Sequence, residues 1–235
     1  MADWTILCDF DGTVAVDDTT DTLLSRFGRP GWEALERDWR NGLIGSRDCM
    51  AGQVALLDMD AAELDAHLAE RRLDPDFGAF VDAARAGGFA IEILSDGLDY
   101  AIHAILRRNG LDELAVVSNR LHAAGERSWR LEFPNADAQC RASSGTCKCA
   151  RAAATRKDGS RVLMIGDGAS DFCVAGVADF VFAKGKLIDY CRREGIAHAP
   201  IRDFADVIAL LPRLLSGQLE AVDFTGSRQP RTATA

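Results

Sequence analysis

Short apolar runs rich in strand-forming residues recur at wide spacing along the chain, and segments with helical patterning fill the intervals between them. The runs cover residues 5–8, 91–94, 115–117, 162–165 and 180–182. Strands that alternate with helices are typical of βαβ units, in which the strands pair in parallel. The sequence therefore predicts an α/β protein built around a parallel sheet.

Four of these five runs end in a polar cluster. The clusters are Asp-Phe-Asp-Gly-Thr at 9–13, Ser-Asp-Gly at 95–97, Ser-Asn at 118–119 and Gly-Asp-Gly at 166–168. In open α/β sheets, ligands bind outside the carboxyl ends of the strands. We therefore expect the four clusters to meet at one crevice.

About eighty residues separate the first two runs, which is far more than a usual crossover connection, so a segment is inserted there. Helix-compatible patterns cover 20–27 and 32–39, Ser46 is a candidate N-cap, and Asp60 with Glu63 forms a capping-box pattern. These patterns predict a small helical cap inserted after the first strand.

The predicted boundaries follow from this insertion. Core residues are 1–14 and 76–214, the helical cap is 15–75, and 215–235 is a flexible tail because it lacks apolar periodicity. Apolar and polar residues alternate around Trp129 and Leu131, which predicts a β-hairpin after the third strand.

Composition limits the partners. Lys and Arg number 27 against 36 Asp and Glu, so the net charge of −9 disfavours nucleic-acid binding. No apolar run approaches the length of a membrane span. The seven cysteines are an odd number without an export signal, and we interpret them as reduced thiols in a cytoplasmic protein. Zinc binding by the Cys-Lys-Cys stretch at 147–149 is disfavoured by its spacing.

Two acidic clusters follow strands on the same predicted sheet edge. Asp9 and Asp11 are two residues apart, so their side chains leave an extended chain on the same side and repel each other. A divalent cation beside one of them, or different protonation states, would relieve this repulsion. Asp167 and Asp171 form the second cluster, and Mg²⁺ prefers such oxygen ligands. The alternative is that these residues are ordinary turn and N-cap aspartates.

Ser95 and Lys148 are candidates for binding an anion. A hydroxyl and free backbone N–H groups at a helix start suit a phosphate, and Ser95 stands between the second strand and a helix. Lys148 lies near the start of an Ala-rich helix, where its charge opposes the helix dipole, so a nearby anion would explain it. The alternatives are an N-cap serine and a solvated lysine.

Taken together, the motif at 9–13, Ser95, Lys148 and Gly-Asp-Gly-x-x-Asp at 166–171 resemble the four ordered motifs of the haloacid dehalogenase superfamily of phosphotransferases. The resemblance spans about residues 4–212. It implies a Rossmann-like core with a cap, and a Mg²⁺-dependent phosphatase of a small phosphorylated metabolite. A homodimer is left open.

The resemblance also implies roles for individual residues. Asp9 would attack phosphorus and form an aspartyl-phosphate, and Asp11 would act as general acid and base. Ser95, Lys148 and the backbone around Asp96 would hold the phosphoryl group. Mg²⁺ would be held by four residues, with the fourth in or just behind the coordination shell: Asp9, the Asp11 carbonyl, Asp167 and Asp171.

The insertion point resembles the phosphoserine phosphatase-like branch. Details of the cap resemble more closely the phosphatases of methionine salvage, which act on 2-hydroxy-3-keto-5-methylthiopentenyl-1-phosphate: Asp17-Asp18, Gly-Leu-Ile-Gly-Ser-Arg at 42–47, Gln53 and Cys-Lys-Cys at 147–149. Phosphoserine phosphatases carry Glu where Asp18 stands, which argues against serine phosphate as the substrate. The candidate substrate-binding residues are Thr13, Asp18, Arg47, Asp96, Gly97 and Asn119.

Three alternatives stay open at this point. A receiver-type regulatory module also gathers aspartates, a Ser or Thr and a Lys around Mg²⁺, although Asp11 and the helical insert argue against it. A phosphoserine phosphatase-like enzyme or a phosphotransferase with an alcohol acceptor would use the same motifs. A former enzyme kept as an interaction partner is disfavoured, because all motif residues are present.

Overall fold

The computed structural model describes residues 4–219. Its strands are β1 Trp4–Cys8, β2 Ala90–Leu98, β3 Ala115–Ala123, β4 Trp129–Glu132, β5 Arg161–Gly166, β6 Phe180–Ala183 and β7 His198–Pro200. Its helices are α1 Thr19–Phe27, α2 Trp32–Arg40, α3 Ser46–Ala55, α4 Ala61–Ala69, α5 Phe77–Ala86, α6 Asp99–Arg108, α7 Lys148–Lys157, α8 Phe172–Ala175, α9 Gly185–Glu194 and α10 Phe204–Leu215.

The strands form one sheet in the order β4-β3-β2-β1-β5-β6-β7. Every neighbouring pair is parallel except β3 with β4. The predicted α/β fold with a parallel sheet is therefore confirmed. β1 lies between β2 and β5 in the middle of the sheet. Its carboxyl end therefore lies at the middle of the sheet edge.

Helices cover both faces of the sheet. Successive side chains of a strand point to opposite faces. Ile6 accordingly packs in one apolar cluster with Phe77 and Phe204 of α5 and α10, whereas Leu7 packs in a second cluster with Leu187 of α9. All five side chains are buried. Burial on both faces explains why the strands read as continuous apolar runs.

Two predicted strand ends were wrong. β2 continues through residues 95–97 to Leu98, because its pairing with β3 resumes at Leu98 opposite Asn119 after an irregularity. α6 consequently begins at Asp99, so Ser95 does not stand at a helix start. β3 likewise continues to Ala123, because its second half pairs with β4 in the predicted hairpin. The short β7 was missed, since three residues ending in proline show no strand pattern.

Helices α1 to α5 lie between β1 and β2, and the first four of them, α1 to α4, are called the helical insert below. The predicted capping box is present, because Asp60 Oδ1 accepts from the Glu63 amide at 2.8 Å and Glu63 Oε2 accepts from the Asp60 amide at 2.9 Å. Ser46 was wrongly predicted as an N-cap: Gly45 is the N-cap and Ser46 begins α3. The domain boundaries stay predictions, and the predicted tail lies mostly outside the described residues.

One prediction about the cysteines was wrong. Cys149 and Cys173 are joined as a disulfide, with their Cα atoms 6.1 Å apart, whereas all seven were expected to be reduced. Packing of α7 against α8 brings the two together, which a separation of 24 residues conceals in the sequence. Between residues 4 and 219 no helix is both long enough and apolar enough to cross a membrane.

Candidate active site

A cavity of about 490 Å³ lies between the carboxyl ends of the strands and the helical insert. Three of the four predicted clusters line it, through Asp9, Asp11, Ser95, Asp96, Gly97, Asp167 and Gly168. The insert contributes Asp18, Thr20, Asp21, Glu36, Trp39, Arg40, Ser46, Cys49, Met50 and Gln53 to its opposite wall. The expected meeting of the strand ends is thus present in the fold, with residues 118–119 as the exception.

Lys148 lies at the centre of the acidic groups. Its side chain is only 2% exposed, and its Nζ lies 2.7 Å from Asp9 Oδ1 and 2.7 Å from Asp171 Oδ1. Burial disfavours the ammonium charge, but the attraction of Asp171 and Asp9 outweighs this, so the pKa of Lys148 is raised. The lysine is therefore a permanent buried cation. These carboxylates are the anions that its place at the start of α7 suggested.

Asp9 follows β1 directly and is buried. Its Oδ1 accepts hydrogen bonds from the Phe10 amide at 2.8 Å and lies against Lys148. Burial and repulsion by Asp171 raise the pKa of the Asp9 carboxyl, although Lys148 acts in the opposite direction. A carboxylate held in this way is oriented toward the cavity that it lines.

Asp11 lines the same cavity and is held by the helical insert. The amide of Thr19, the first residue of α1, donates to Asp11 Oδ1 at 2.9 Å. Desolvation raises the pKa of Asp11 despite this hydrogen bond. A Cβ on Gly97 would lie 2.5 Å from Asp11 Oδ2, so only glycine allows the two segments to approach this closely. A raised pKa is what a group that both donates and accepts protons needs.

A cluster of carboxylates that could hold a cation lies beside Asp9. Ligand atoms of Asp9, Asp167 and Asp171 all lie within 4.8 Å of one another. Burial and repulsion by Asp171 raise the pKa of Asp167. These three carboxylates carry three negative charges and Lys148 carries one positive charge. Two negative charges are therefore not balanced within this group. Hard oxygen donors and this charge fit a magnesium ion.

Asp171 is the member of this cluster that does not line the cavity. Its Oδ1 accepts from Lys148 at 2.7 Å, and its Oδ2 accepts from the amides of Asp167 at 3.0 Å and Gly168 at 3.3 Å. Both oxygens are therefore already used by protein donors. This geometry favours a position behind the coordination shell over one within it.

Thr13 does not line the cavity, contrary to its place among the substrate-binding candidates. Its side chain is buried, and its hydroxyl donates to Asp167 Oδ1 at 3.0 Å. The neighbouring Gly12 has φ +74°, and a Cβ there would lie 2.9 Å from Asp167 Oδ2. The turn after β1 thus bends back onto Asp167, which is why Thr13 faces the protein.

Ser95, Asp96 and Gly97 lie in the irregular stretch of β2, which forms part of the cavity wall and is called the Asp96 loop below. The Gly97 amide donates to Ser95 Oγ at 2.9 Å, and Ser95 is almost fully buried. Asp96 turns its carboxylate away from this loop: Oδ1 accepts from the Thr146 amide at 2.8 Å, and Oδ2 accepts from Ser46 Oγ at 2.7 Å. An acidic residue in this loop therefore fixes the loop to its neighbours, including the helical insert.

Asn119, one of the substrate-binding candidates, lies away from the cavity. It is fully buried in β3 and does not line the cavity. Its Nδ2 donates to the carbonyl oxygen of Asp96 at 2.6 Å and to Asp96 Oδ1 at 3.1 Å. Asn119 therefore supports the Asp96 loop from behind. β3 continues past the predicted end, so its polar residues fall inside the sheet.

The two candidates on the insert differ. Arg47 is exposed, lies 3.5 Å from Asp48 and does not line the cavity, so its role as a substrate-binding residue stays a prediction that the geometry does not support. Asp18 does line the cavity and accepts the Asp21 amide at 2.9 Å as N-cap of α1. Asp18 is exposed at the mouth, yet surrounding protein atoms displace part of its water. This desolvation, with repulsion by Asp11 and Asp21, raises its pKa to about 7.

Three features of the site were missed. The hydrogen bond from the Thr19 amide to Asp11 could not be predicted from residue types, because any residue supplies a backbone amide. Lys184 Nζ donates to the Gly12 carbonyl at 3.0 Å. Lys184 directly follows β6, so the rule about strand ends would have found it. Glu36 lines the insert wall and accepts a hydrogen bond from Gln53, which was named from the sequence only as part of the resemblance; this contact depends on how α2 and α3 pack.

Comparison with known proteins agrees with this geometry. Residues 6–176 match the haloacid dehalogenase-like hydrolase family. A protein of Exiguobacterium sp. (strain ATCC BAA-1283 / AT1b), named 2-hydroxy-3-keto-5-methylthiopentenyl-1-phosphate phosphatase, is 31% identical over 88% of this chain and 96% of its own length. A protein of the same name from Geobacillus kaustophilus is 32% identical over 89% of this chain and 96% of its own length.

Solved structures show the same fold. A phosphoserine phosphatase described as a phospho-aspartyl intermediate analogue has a TM-score of 0.67 at 17% identity, over 89% of this chain and 99% of that one. A substrate-bound phosphoserine phosphatase has a TM-score of 0.66 at 17% identity, over 89% and 98% of the two chains. The resemblance predicted from the four motifs is confirmed: the chain belongs to the haloacid dehalogenase-like hydrolase family and is a phosphatase.

Proposed function

We propose that this protein is a Mg²⁺-dependent phosphomonoester hydrolase that works through an aspartyl-phosphate on Asp9. The observation that carries the proposal is the arrangement around Asp9: its carboxylate lines the cavity, contacts Lys148 at 2.7 Å, and shares the cavity with Asp11 and Asp167. Nucleophile, proton carrier and cationic groups are the parts that phosphoryl transfer requires. Cytoplasmic location and a homodimer stay predictions.

In the first step, a carboxylate oxygen of Asp9 attacks phosphorus, and the bond between phosphorus and the leaving oxygen breaks. Asp11 donates its proton to that oxygen, so the leaving group departs as an alcohol. In the second step, the Asp11 carboxylate takes a proton from water while the water oxygen attacks phosphorus. The acyl phosphate bond to Asp9 breaks, and inorganic phosphate leaves.

Donors on the core side of the cavity would hold the transferring phosphoryl group, with Lys148 acting from behind Asp9 and not from the cavity wall. Lys148 supplies a fixed positive charge, and the Ser95 hydroxyl with the backbone of the Asp96 loop supplies hydrogen bonds. Mg²⁺ would be held by Asp9, the Asp11 carbonyl and Asp167, with Asp171 behind them, and when bound it offsets charge on the phosphoryl oxygens. The helical insert covers the cavity and limits access of bulk water.

The substrate that we propose is 2-hydroxy-3-keto-5-methylthiopentenyl-1-phosphate. Two relatives with this activity in their names share 31% and 32% identity with nearly the whole chain. The cavity also argues against serine phosphate, because the only cations that line it in the described part of the chain are Arg40 and Lys186. Arg40 is already paired with Glu36 at 2.9 Å. A second candidate substrate class, a phosphorylated amino acid, therefore lacks a free carboxylate partner on the insert.

A panel of phosphorylated metabolites tests the proposal. It includes the proposed substrate, phosphoserine and p-nitrophenyl phosphate, each assayed with Mg²⁺ and with EDTA. We expect phosphate release that needs Mg²⁺ and a kcat/KM for the proposed substrate at least tenfold above that for phosphoserine, about 1.4 kcal/mol of discrimination. Equal rates with EDTA would contradict Mg²⁺ dependence. Preference for phosphoserine would contradict the substrate. Slow turnover with long-lived phospho-Asp9 would favour the receiver alternative.

Replacement of Lys148 gives a separate prediction. Lys148→Ala removes the buried cation beside Asp9, so we expect kcat to fall on the order of a hundredfold or more, because a preorganised charge partner is lost. Thermal unfolding should also shift to lower temperature, since Asp9 and Asp171 lose their shared partner. Steady-state kinetics on the folded variant checks the first result, and a change confined to KM would contradict the assignment.

A further inference from the structure

The insert wall of the cavity carries a built hydrogen-bonding group that the proposed mechanism does not use. Gln53 is 3% exposed and lines the cavity from α3. Its Nε2 donates to Glu36 Oε2 at 3.2 Å, and Glu36 Oε1 in turn accepts from Arg40 Nε at 2.9 Å. The three residues form a chain across α2 and α3. A buried polar group is normally kept in place for its hydrogen bonds.

The contact with Glu36 decides which way the Gln53 amide faces. A carboxylate only accepts hydrogen bonds, so the amide nitrogen must point at Glu36. The amide oxygen then points elsewhere: no hydrogen bond to it is present among residues 4–219, and it is not one of the buried polar atoms sealed off without a partner, so it stays accessible from the cavity that Gln53 lines. Gln53 therefore offers one oriented, unused acceptor to a molecule in the cavity.

The neighbours of Gln53 on this wall indicate which other groups of a ligand the cavity would accommodate. Met50 and Cys49 lie three and four residues before Gln53 on α3, so both share with it the helix face that lines the cavity. Trp39 of α2 lines it beside them. These side chains offer an apolar surface next to the single amide acceptor.

Charge on the insert wall limits what the ligand carries. Asp18, Asp21 and Glu36 line it, whereas the one insert cation that lines it, Arg40, is paired with Glu36. A second anionic group on the leaving group would be repelled there. An uncharged leaving group avoids this cost.

We propose that Gln53 is a specificity residue whose amide oxygen accepts a hydrogen bond from a hydroxyl of an uncharged aliphatic leaving group, with the apolar part of that group packed against Trp39 and Met50. The inference rests on the proposed phosphatase function and names the part of the substrate that the insert recognises. Glu36 is a positioning residue, because it orients the amide.

Phosphate esters that differ by one hydroxyl test this directly. The probes are pentyl phosphate and three pentyl phosphates with a single hydroxyl at carbon 2, 3 or 4. We expect the wild-type kcat/KM for the best hydroxylated ester to exceed that for pentyl phosphate about tenfold, the size of one neutral hydrogen bond. In Gln53→Leu this advantage should shrink to within twofold, mainly through KM, and the readout is the ratio of the two esters within each variant, so a general change in rate does not affect it.

Matched variants separate recognition from structural damage. Glu36→Gln keeps an acceptor for the Gln53 amide and should retain the preference, whereas Glu36→Ala should lose most of it. Arg37→Ala, an exposed change on α2 away from the cavity, should behave as wild type. Equal rates for hydroxylated and plain esters in the wild type, or an undiminished preference in Gln53→Leu, would overturn the proposal.

Binding measurements keep the inference testable apart from turnover. If no ester is hydrolysed, the phosphatase function fails for these compounds, and calorimetry with Asp9→Asn then decides the inference alone. Relative to pentyl phosphate, the best-bound hydroxylated ester should lose about tenfold in affinity in Asp9→Asn/Gln53→Leu compared with Asp9→Asn. An unchanged ratio of the two affinities, or no binding of the hydroxylated ester, would overturn the proposal.

Discussion

Asp9→Asn abolishes turnover while the protein stays folded. The amide of Asn cannot serve as the nucleophile that forms an acyl phosphate, so both steps of the reaction are lost. An Asn side chain can still accept hydrogen bonds from the Phe10 amide and from Lys148, so the local contacts survive. Phosphate release from p-nitrophenyl phosphate with Mg²⁺ present is the measurement. Wild-type kcat in this variant would remove the nucleophile assignment.

Stability provides the control for this variant. The pKa of Asp9 is higher in the folded protein than in the unfolded chain, chiefly because the carboxyl is buried. Ionising it therefore opposes folding once the pH rises above the unfolded value, and this cost persists at neutral pH. Asn removes the cost, so Tm without divalent cations should equal or exceed that of the wild type. Asp82→Asn, an exposed change on α5, should alter neither Tm nor kcat.

Asp11→Asn forms phosphoenzyme and fails to release it. With p-nitrophenyl phosphate the leaving group departs readily without a proton, so the attack by Asp9 still proceeds. Hydrolysis then stalls, because no carboxylate takes the proton of the attacking water, and we expect kcat to fall about 10²- to 10⁴-fold. Rapid-quench assays should show a burst of p-nitrophenol equal to the enzyme concentration, followed by a slow steady rate.

The matched control is Asp17→Asn, which makes the same chemical change at an exposed residue that lies 3.7 Å from Arg71. It should show wild-type kcat and no burst. Wild-type turnover in Asp11→Asn would refute the role of general acid and base. Loss of the burst together with turnover would place Asp11 in the attack step alone.

Local rules were sufficient for the core of the fold and the acidic groups. Asp9, Asp11 and Asp167 lie within three residues of the ends of apolar runs, and carboxyl ends of parallel strands meet at one edge, so their meeting could be predicted without coordinates. Lys148 could be singled out because its charge conflicts with the helix dipole. Each of these inferences depends on one element and its neighbours in sequence.

Predictions failed where the direction of a side chain depends on contacts distant in sequence. Asn119 was expected at the crevice, but the hairpin extends β3 and places the residue within the sheet. Thr13 faces Asp167, 154 residues away, rather than the cavity. The Arg47 side chain faces solvent because only its backbone amide meets the core, donating to the Ser143 carbonyl at 3.0 Å, whereas the Ser46 side chain bonds to Asp96. No pattern within a single segment records these contacts.

Phosphorylation of Asp9 is the central claim, and mass spectrometry tests it most directly. Asp11→Asn is mixed with p-nitrophenyl phosphate and Mg²⁺, quenched in acid and digested, and the peptides are searched for one added phosphoryl group. We predict that the group is found on Asp9 in nearly every molecule, and that it is absent from Asp9→Asn/Asp11→Asn. A phosphoryl group on another residue, or none in a protein that still hydrolyses the ester, would contradict the account.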